Sequence, residues 1–255
     1  MGKYYQSPFL FGGKLGMYKT LYKAPILKKY LPITKKFTYK NLIEMTKKYS
    51  TVYIKPQKSS KGRGIYRIKP LKNKYECRST KRTKTFKKLL HLYQYIVNKS
   101  KKKKKRIIQQ GIALDQVKGR PYDIRALVQK KPNGKWVFTG MNSRVGKKNK
   151  IVTNLSRGGQ INLVGDLFKK LGIPRSEQRR RYKELKRTAL NTAKFLSFKK
   201  PNIHVLGIDF AYDKKGNLWI LEINSRPQYR MLKKVAPSMY KRMRKYARNY
   251  RKVQE

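Results

Sequence analysis

Hydrophobic positions along the chain fall into short alternating runs, broken by basic or Gly/Pro-marked turns, with a few longer stretches at helical spacing. Leu15, Met17, Leu21 and Tyr22 predict a short helix, and Pro25 and Pro32 punctuate the next segment. Thr38 is placed to cap a helix running to about Tyr49, with Leu42, Ile43 and Met45 inward. Val52–Lys55 and Ile65–Ile68 predict two strands around a loop at 56–64, and Tyr75–Arg78 a third strand. A helix is expected from about Thr85 to Asn98, its inward stripe Phe86, Leu89, Leu90, Tyr93 and Val97. Ile107–Ile112 reads as a strand and turn. Asp123–Gln129 and Trp136–Thr139 read as a hairpin closed by Asn133–Gly134, with Asp123 and Arg125 on one strand face. A long helix spans about Ser176 to Ser197 with Tyr182, Leu185, Ala189, Ala193 and Leu196 inward. From Ser238 a basic amphipathic helix carries Tyr240, Met243, Tyr246 and Tyr250, suited to docking on the domain or on an anionic surface. No internal repeat is present.

The stretch Val205–Asn224 holds the densest chemistry. Two apolar runs flank Lys214–Asn217, a hairpin pattern; with Lys215 and Gly216 as the loop, Asp209 falls opposite Glu222. Glu222 and Asn224 are two apart and share a face. Two carboxylates and an amide oxygen would converge, an oxygen-only set that suits Mg²⁺. Acids flanked by Ile, Phe and Leu need partners, whereas Asp213, beside the turn, is expected to pair with lysines. Ser59, Ser60, Gly62 and Gly64 form a small-residue loop able to turn backbone N–H groups to phosphate, or else an ordinary Gly-rich turn. The G-x-x-x-x-G-K-[ST] spacing is absent, and a strand rather than a helix comes next, which excludes a Walker loop and a dinucleotide fingerprint. Lys55, just before the loop, either faces an anion inward or is one more surface lysine.

Charge sharpens the picture. The 255 residues carry 68 Lys+Arg against 11 Asp+Glu, a formal net charge of +57. That implies affinity for polyanions or a solvated basic surface. Lys101–Arg106, an unbroken basic run, reads first as a solvated loop and second as a polyanion contact. Cys77 is the single cysteine, so no intrachain disulfide forms, and two histidines supply no Ser-His-Asp or Cys-His set; His91 lies off its helix's apolar stripe. No apolar run approaches the ~18 residues of a membrane-spanning helix, and the N-terminus lacks a signal-like apolar core. Neither zinc-finger spacing nor an RNP-like signature supports nucleic-acid readout, although 19 tyrosines could stack on bases.

In order, Leu31–Thr34, Tyr53–Pro56 with Ser60–Ile65, Gln109–Ile112, Asp123–Arg125, Ser143–Arg144, Asn154 with Gly158–Gly159, Gly207–Phe210 and Leu221–Asn224 resemble the motifs of ATP-grasp proteins, nearest to the YheC/YheD family described as endospore coat-associated. They run collinearly over about residues 14–230. The resemblance implies an α+β ATP-grasp fold: two α+β subdomains clasping nucleotide between antiparallel sheets. It implies a short N-terminal segment (1–36), a small subdomain (37–105), a large subdomain with the metal site (106–235) and a C-terminal basic helix (236–255). Carried over by residue, Lys55 and the loop with Ser60, Gly62 and Gly64 would contact ATP phosphates, joined by Lys14 or Lys19. Gln109, Gln110 and Ile112 would form the hinge beside adenine, with Asp123 near the ribose or the hinge rim. Asp209, Glu222 and Asn224 would hold Mg²⁺, or Mn²⁺ in its place. Arg144, Asn154 and Arg125 would serve the reacting groups. The implied chemistry is an ADP-forming carboxylate–amine ligation through an acyl-phosphate. The rivals are a non-catalytic coat-associated protein on the same scaffold and a polyanion binder. The implied setting is the cytoplasm or the spore. Ser59 stands where the family usually has glycine, Arg226 and Gln228 depart from the expected residues after the metal motif, and the N-terminus is short for a class whose members often carry a preceding domain.

Overall fold

The computed structural model describes residues 10–59, 63–80, 82–99, 105–146 and 160–252. After a 3₁₀ turn at Leu10–Gly12 come α1 (Lys14–Tyr22), α2 (Pro25–Lys28), β1 (Thr34–Lys36), α3 (Tyr39–Lys48), β2 (Val52–Pro56), β3 (Tyr66–Leu71), β4 (Lys74–Ser79), β5 (Thr83–Phe86), α4 (Leu89–Asn98) and β6 (Arg106–Gln110). Next are β7 (Gln116–Val117), β8 (Arg120–Lys130), β9 (Trp136–Val145), β10 (Gln160–Asn162), α5 (Val164–Lys170), α6 (Arg175–Lys199), β11 (Val205–Tyr212), β12 (Leu218–Asn224), α7 (Leu232–Val235) and α8 (Pro237–Lys252). They build two antiparallel sheets, ordered β1-β6-β2-β3-β4-β5 and β10-β9-β8-β11-β12, with β7 paired to β8.

Each sheet buries one face under helices. In the first, Val52, Ile54, Ile68, Cys77 and Ile108 pack on Leu42 and Met45 of α3 and on Leu89, Leu92 and Ile96 of α4. Thr38 caps α3 by accepting a hydrogen bond from the Asn41 amide at 3.2 Å. In the second, Tyr122, Ile124, Ala126 and Val128 of β8 alternate onto Leu185, Ala189, Ala193 and Leu196 of α6. The even positions of β8 thus form the core, and Asp123 and Arg125 point the other way. The β8–β9 hairpin closes as expected: Gly134 takes φ +80°, and Lys131 N–H bonds the Lys135 carbonyl at 2.8 Å.

Several expectations are corrected. Thr85 and Phe86 belong to the edge strand β5, paired with Glu76 and Tyr75, and the helix starts only at Leu89. Threonines at 83 and 85 favour the pleated edge over a helical turn. The buried stripe of α4 is Leu89, Leu92 and Ile96, while Leu90 and Val97 are exposed. Tyr182 is exposed on α6 and meets Phe138 edge-on, with ring centroids 6.0 Å apart. Asp213 makes no ion pair among the described residues. Its carboxylate accepts the Lys215 and Asn217 amides, Asn217 Nδ2 and Trp219 Nε1, all at 2.9–3.1 Å, and so shapes the turn itself.

Candidate functional site

A cleft of about 2330 Å³ lies between the two sheets, on their faces away from α3, α4 and α6. Lys55, Gln109, Gln110, Ile112, Asp123, Arg125, Arg144, Asp209, Glu222 and Asn224 all line it. Ser60, Gly62 and Asn154, with Gly158 and Gly159, lie outside the described residues, as do residues 101–104 of the basic run. Gly64 is described but does not line the cleft; at φ +67° it ends the loop, and its carbonyl accepts Arg106 Nη1 at 2.9 Å.

Strand register brings the acids together. Asp209 on β11 sits opposite Glu222 on β12 and opposite Arg125 on β8; Asp123 on β8 sits opposite Arg144 on β9. Directly opposed residues share a face. Asp209, 4% exposed, accepts Arg125 Nε at 2.6 Å, Arg125 Nη2 at 2.7 Å and Arg144 Nη2 at 2.8 Å. Arg144 Nε also donates to the buried carboxylate of Asp123. Burial alone would raise the Asp209 pKa, but the two guanidiniums outweigh it and hold it at about 2. Burial likewise opposes the charge on Arg144, and Asp209 with Asp123 more than restores it.

Lys55 enters from the other sheet. Its alternation partner on β2 facing the cleft is Tyr53, whereas Val52 and Ile54 face the core. Its ammonium lies between the sheets, donating to Gln109 Oε1 at 2.6 Å. No carboxylate lies within ion-pair distance of it among the described residues. Desolvation lowers its pKa to about 8; nearby Glu222 works against that fall, and Lys14 adds to it. Gln109 in turn donates to Thr34 Oγ1 at 2.8 Å, and the Ile33 amide donates to Gln110 Oε1 at 3.1 Å, which ties β6 to the chain before β1.

Of the two N-terminal lysines, Lys14 is the one in the cleft. Its ammonium reaches Glu222 Oε1 at 3.1 Å and the Ser59 carbonyl at 2.8 Å, and so links the start of the phosphate-type loop to the β12 strand. Lys19 is exposed on α1 and does not line the cleft. Position in the sequence could not separate them, because α1 shows only a weak apolar stripe. Arg67 and Arg78, a cross-strand pair on β3 and β4 that also lines the cleft, escape sequence reasoning as well; their face of the sheet is legible in the alternation, but its outlook is not.

The oxygen donors suit a hard cation. Three of the roughly four lone-pair positions of Asp209 are taken by guanidinium N–H groups. Glu222 is partly exposed, with one oxygen held by Lys14. The buried Nδ2 of Asn224 has no hydrogen-bond partner among the described residues. Rotating that amide end for end would put an unclaimed oxygen there, which favours a cation over a donor-only neighbour. Glu222 and Asn224 therefore fit a divalent ion directly, and Asp209 fits it through one remaining lone pair and its charge.

Known proteins resemble this chain in sequence and in fold. The family described as YheC/D like ATP-grasp matches residues 3–253. Endospore coat-associated protein YheD of Bacillus subtilis (strain 168) is 30% identical over 236 residues, 88% of this chain and 50% of that protein. Endospore coat-associated protein YheC of the same organism is 26% identical over 232 residues, 85% of this chain and 60% of that one. The chain thus spans about half to three-fifths of the length of these relatives. Among solved structures, the biotin carboxylase–β,γ-ATP complex from Campylobacter jejuni aligns with a TM-score of 0.56 at 14% identity, over 94% of this chain and 46% of that one, a likeness of fold.

Proposed function

Because this chain belongs to the YheC/D-like ATP-grasp family, we propose that its cleft binds Mg-ATP and uses it to join a carboxylate to an amine, releasing ADP and phosphate. The observation that carries the reading is Lys55: a desolvated ammonium between two sheets, facing the acids of the other sheet, whose contacts among the described residues are the neutral Gln109 amide and the Tyr53 ring, with no carboxylate within ion-pair distance. Such a group calls for an anion, and a triphosphate supplies one.

In this reading Lys55 and Lys14 hold the β- and γ-phosphates, and Gln109, Gln110 and Ile112 border the adenine. The substrate carboxylate attacks the γ-phosphorus; the new O–P bond forms as the bond to the β-phosphate oxygen breaks, and ADP leaves. The amine nitrogen then bonds to the acyl carbon, the carbon–oxygen bond to phosphate breaks, and the amine gives up a proton. Arg125 and Arg144 each carry five N–H donors, so they retain some for the substrate carboxylate and the acyl-phosphate after serving Asp209. A magnesium ion held by Glu222, Asn224 and Asp209 would offset the charge on the phosphates.

A second reading, a nucleotide-binding scaffold without turnover, draws on Asp209, all but one of whose lone-pair positions are engaged by arginines. The names of the relatives extend either reading to a role at the spore coat. Among the described residues no helix is long and apolar enough to cross a membrane. Thermal unfolding with and without Mg-ATP tests binding, and a carboxylate and amine pool assayed for ADP release tests turnover. A raised Tm with ADP release supports the ligase, a raised Tm without release supports the scaffold, and no change in Tm with Mg-ATP sinks both.

A further inference from the structure

Twelve Lys and Arg but only three carboxylates line the cleft among the described residues, far more positive charge than a magnesium-bound triphosphate of about −2 can offset. The surplus has a definite place. Helix α8 lies on the same face of the second sheet as Asp123 and Arg125: Met243 and Leu232 pack on Leu127, one side-chain repeat along β8 from Arg125. Its seat is fixed. Gln129 Nε2 bonds the Met243 carbonyl at 3.0 Å and Arg242 Nε the Thr139 carbonyl at 2.8 Å. Gly140 lies so close beneath it that a Cβ there would stand 2.5 Å from the Met239 side chain. The face of α8 turned to the cleft carries Tyr240, Arg244, Ala247 and Arg248, and Arg230 and Lys233 extend it before the helix. These four basic side chains are exposed, and none has a carboxylate within ion-pair distance among the described residues.

We propose that this wall is the track for an acidic, peptide-like polymer, an extended chain with carboxylates at alternate positions, whose reacting end reaches Arg125 and Arg144. The spacing matches. Arg244 and Arg248 stand one helical turn apart, about 6 Å along the axis, and alternate side chains of an extended peptide stand about 6.6 Å apart on one face. Like charges at i and i+4 repel, so an anion between them relieves a cost the free helix carries. The proposal rests on the ligase reading, since that reading gives the polymer its reacting carboxylate.

The chain is basic everywhere, so the test compares equal charge losses. Binding of a labelled poly-L-glutamate at one fixed salt concentration is measured for the full chain, for Arg244→Ala with Arg248→Ala, and for Lys183→Ala with Arg187→Ala, an i,i+4 pair on exposed α6 outside the cleft. The wall variant is expected to lose roughly 5- to 30-fold in affinity and the α6 variant under about 2-fold. Poly-uridylate RNA, the second probe, is expected to weaken equally in both. Equal loss of polyglutamate in the two variants overturns the proposal, as does an RNA loss in the wall variant that exceeds its polyglutamate loss. A Mg-ATP thermal shift on the same proteins is read separately: its absence in the unmodified chain removes the ligase reading and leaves the wall to be judged by polyglutamate alone.

Discussion

Replacing Lys55 by Met should make the nucleotide-free protein more stable while abolishing its response to Mg-ATP. The ammonium is held at a pKa of about 8 against an ordinary 10.5, so at pH 7, where it is still mostly protonated, its burial costs the fold about 3 kcal/mol. Because the side chain keeps some access to the cleft, the recoverable part is nearer 2–3 kcal/mol. Met preserves the apolar stem but leaves Gln109 Oε1 without its 2.6 Å donor, a loss of about 1 kcal/mol. A net gain of about 1–2 kcal/mol should raise Tm by about 3–6 °C for a chain of this size. The sign with pH is fixed. A folded pKa below the unfolded one means that the unfolded chain binds more protons between pH 8 and 10.5, so the stability of the unmodified protein climbs through that window. The advantage of Lys55→Met at pH 7 should therefore shrink as pH rises from 8 towards 10.5. Tm measured at both ends of that range, with and without Mg-ATP, is the assay. A variant less stable than the unmodified protein at pH 7, a pH-independent advantage, or an intact Mg-ATP shift would refute the reasoning.

Glu222→Ala removes only a partly exposed pair with Lys14, so nucleotide-free stability should move by less than about 1 kcal/mol while the Mg-ATP shift is lost; calorimetric titration with Mg-ATP checks both. Asp209→Ala strands two guanidiniums and should cost about 3–5 kcal/mol in urea unfolding. Asp209 has its pKa depressed from 3.8 to about 2, so its contribution is complete above pH 4 and about 2 kcal/mol of it is lost as pH falls through 2. That step should be absent from acid titrations of the alanine variant. Gly140→Ala pushes a Cβ into Met239 and should cost about 1–3 kcal/mol, with faster amide exchange confined to α8.

How far the sequence discloses such a site is clearest at β11–β12. Counting from a Lys215–Gly216 loop places Asp209 opposite Glu222, and the two are indeed paired. The loop is one residue longer than that: Asp213 bonds Asn217 across it at 3.0 Å, and Tyr212 faces Leu218. A register shift between Asp209 and Phe210 cancels the error. Alternation carries no mark of a bulge, so the right pairing emerges through two faults of opposite sign. Local signals serve well where one element decides: the Thr38 cap, the Asn133–Gly134 turn, the α6 stripe from Leu185 to Leu196, though not Tyr182 before it. They fail at Phe86 and Leu90, where an added edge strand rotates the start of α4. Whether Lys55 faces an anion or water, and whether Lys14 or Lys19 enters the cleft, depends on how one sheet meets the other, and nothing within either segment encodes that.

The scarcity of acids leads to one more consequence. Only 11 carboxylates occur in the chain, and three of them, Asp123, Asp209 and Glu222, stand in the cleft beside Lys14, Lys55, Arg125 and Arg144. That group carries one net positive charge with Lys55 protonated. A bare divalent cation approaching Glu222 must displace or outbid the Lys14 ammonium at 3.1 Å and meets the Lys55 ammonium behind it, which has no carboxylate within ion-pair distance among the described residues, so like-charge repulsion opposes entry. If the cleft binds a triphosphate as proposed, the balance would reverse: both lysines would turn to phosphate, and Glu222, freed from Lys14, would be open to the metal beside Asn224. Millimolar Mg²⁺ or Mn²⁺ alone should then leave Tm unchanged, nucleotide alone should raise it modestly, and the two together should raise it by more than the sum. An increase of several degrees with the ion alone would mean that the carboxylates form a standing metal site, and that Lys14 does not guard it.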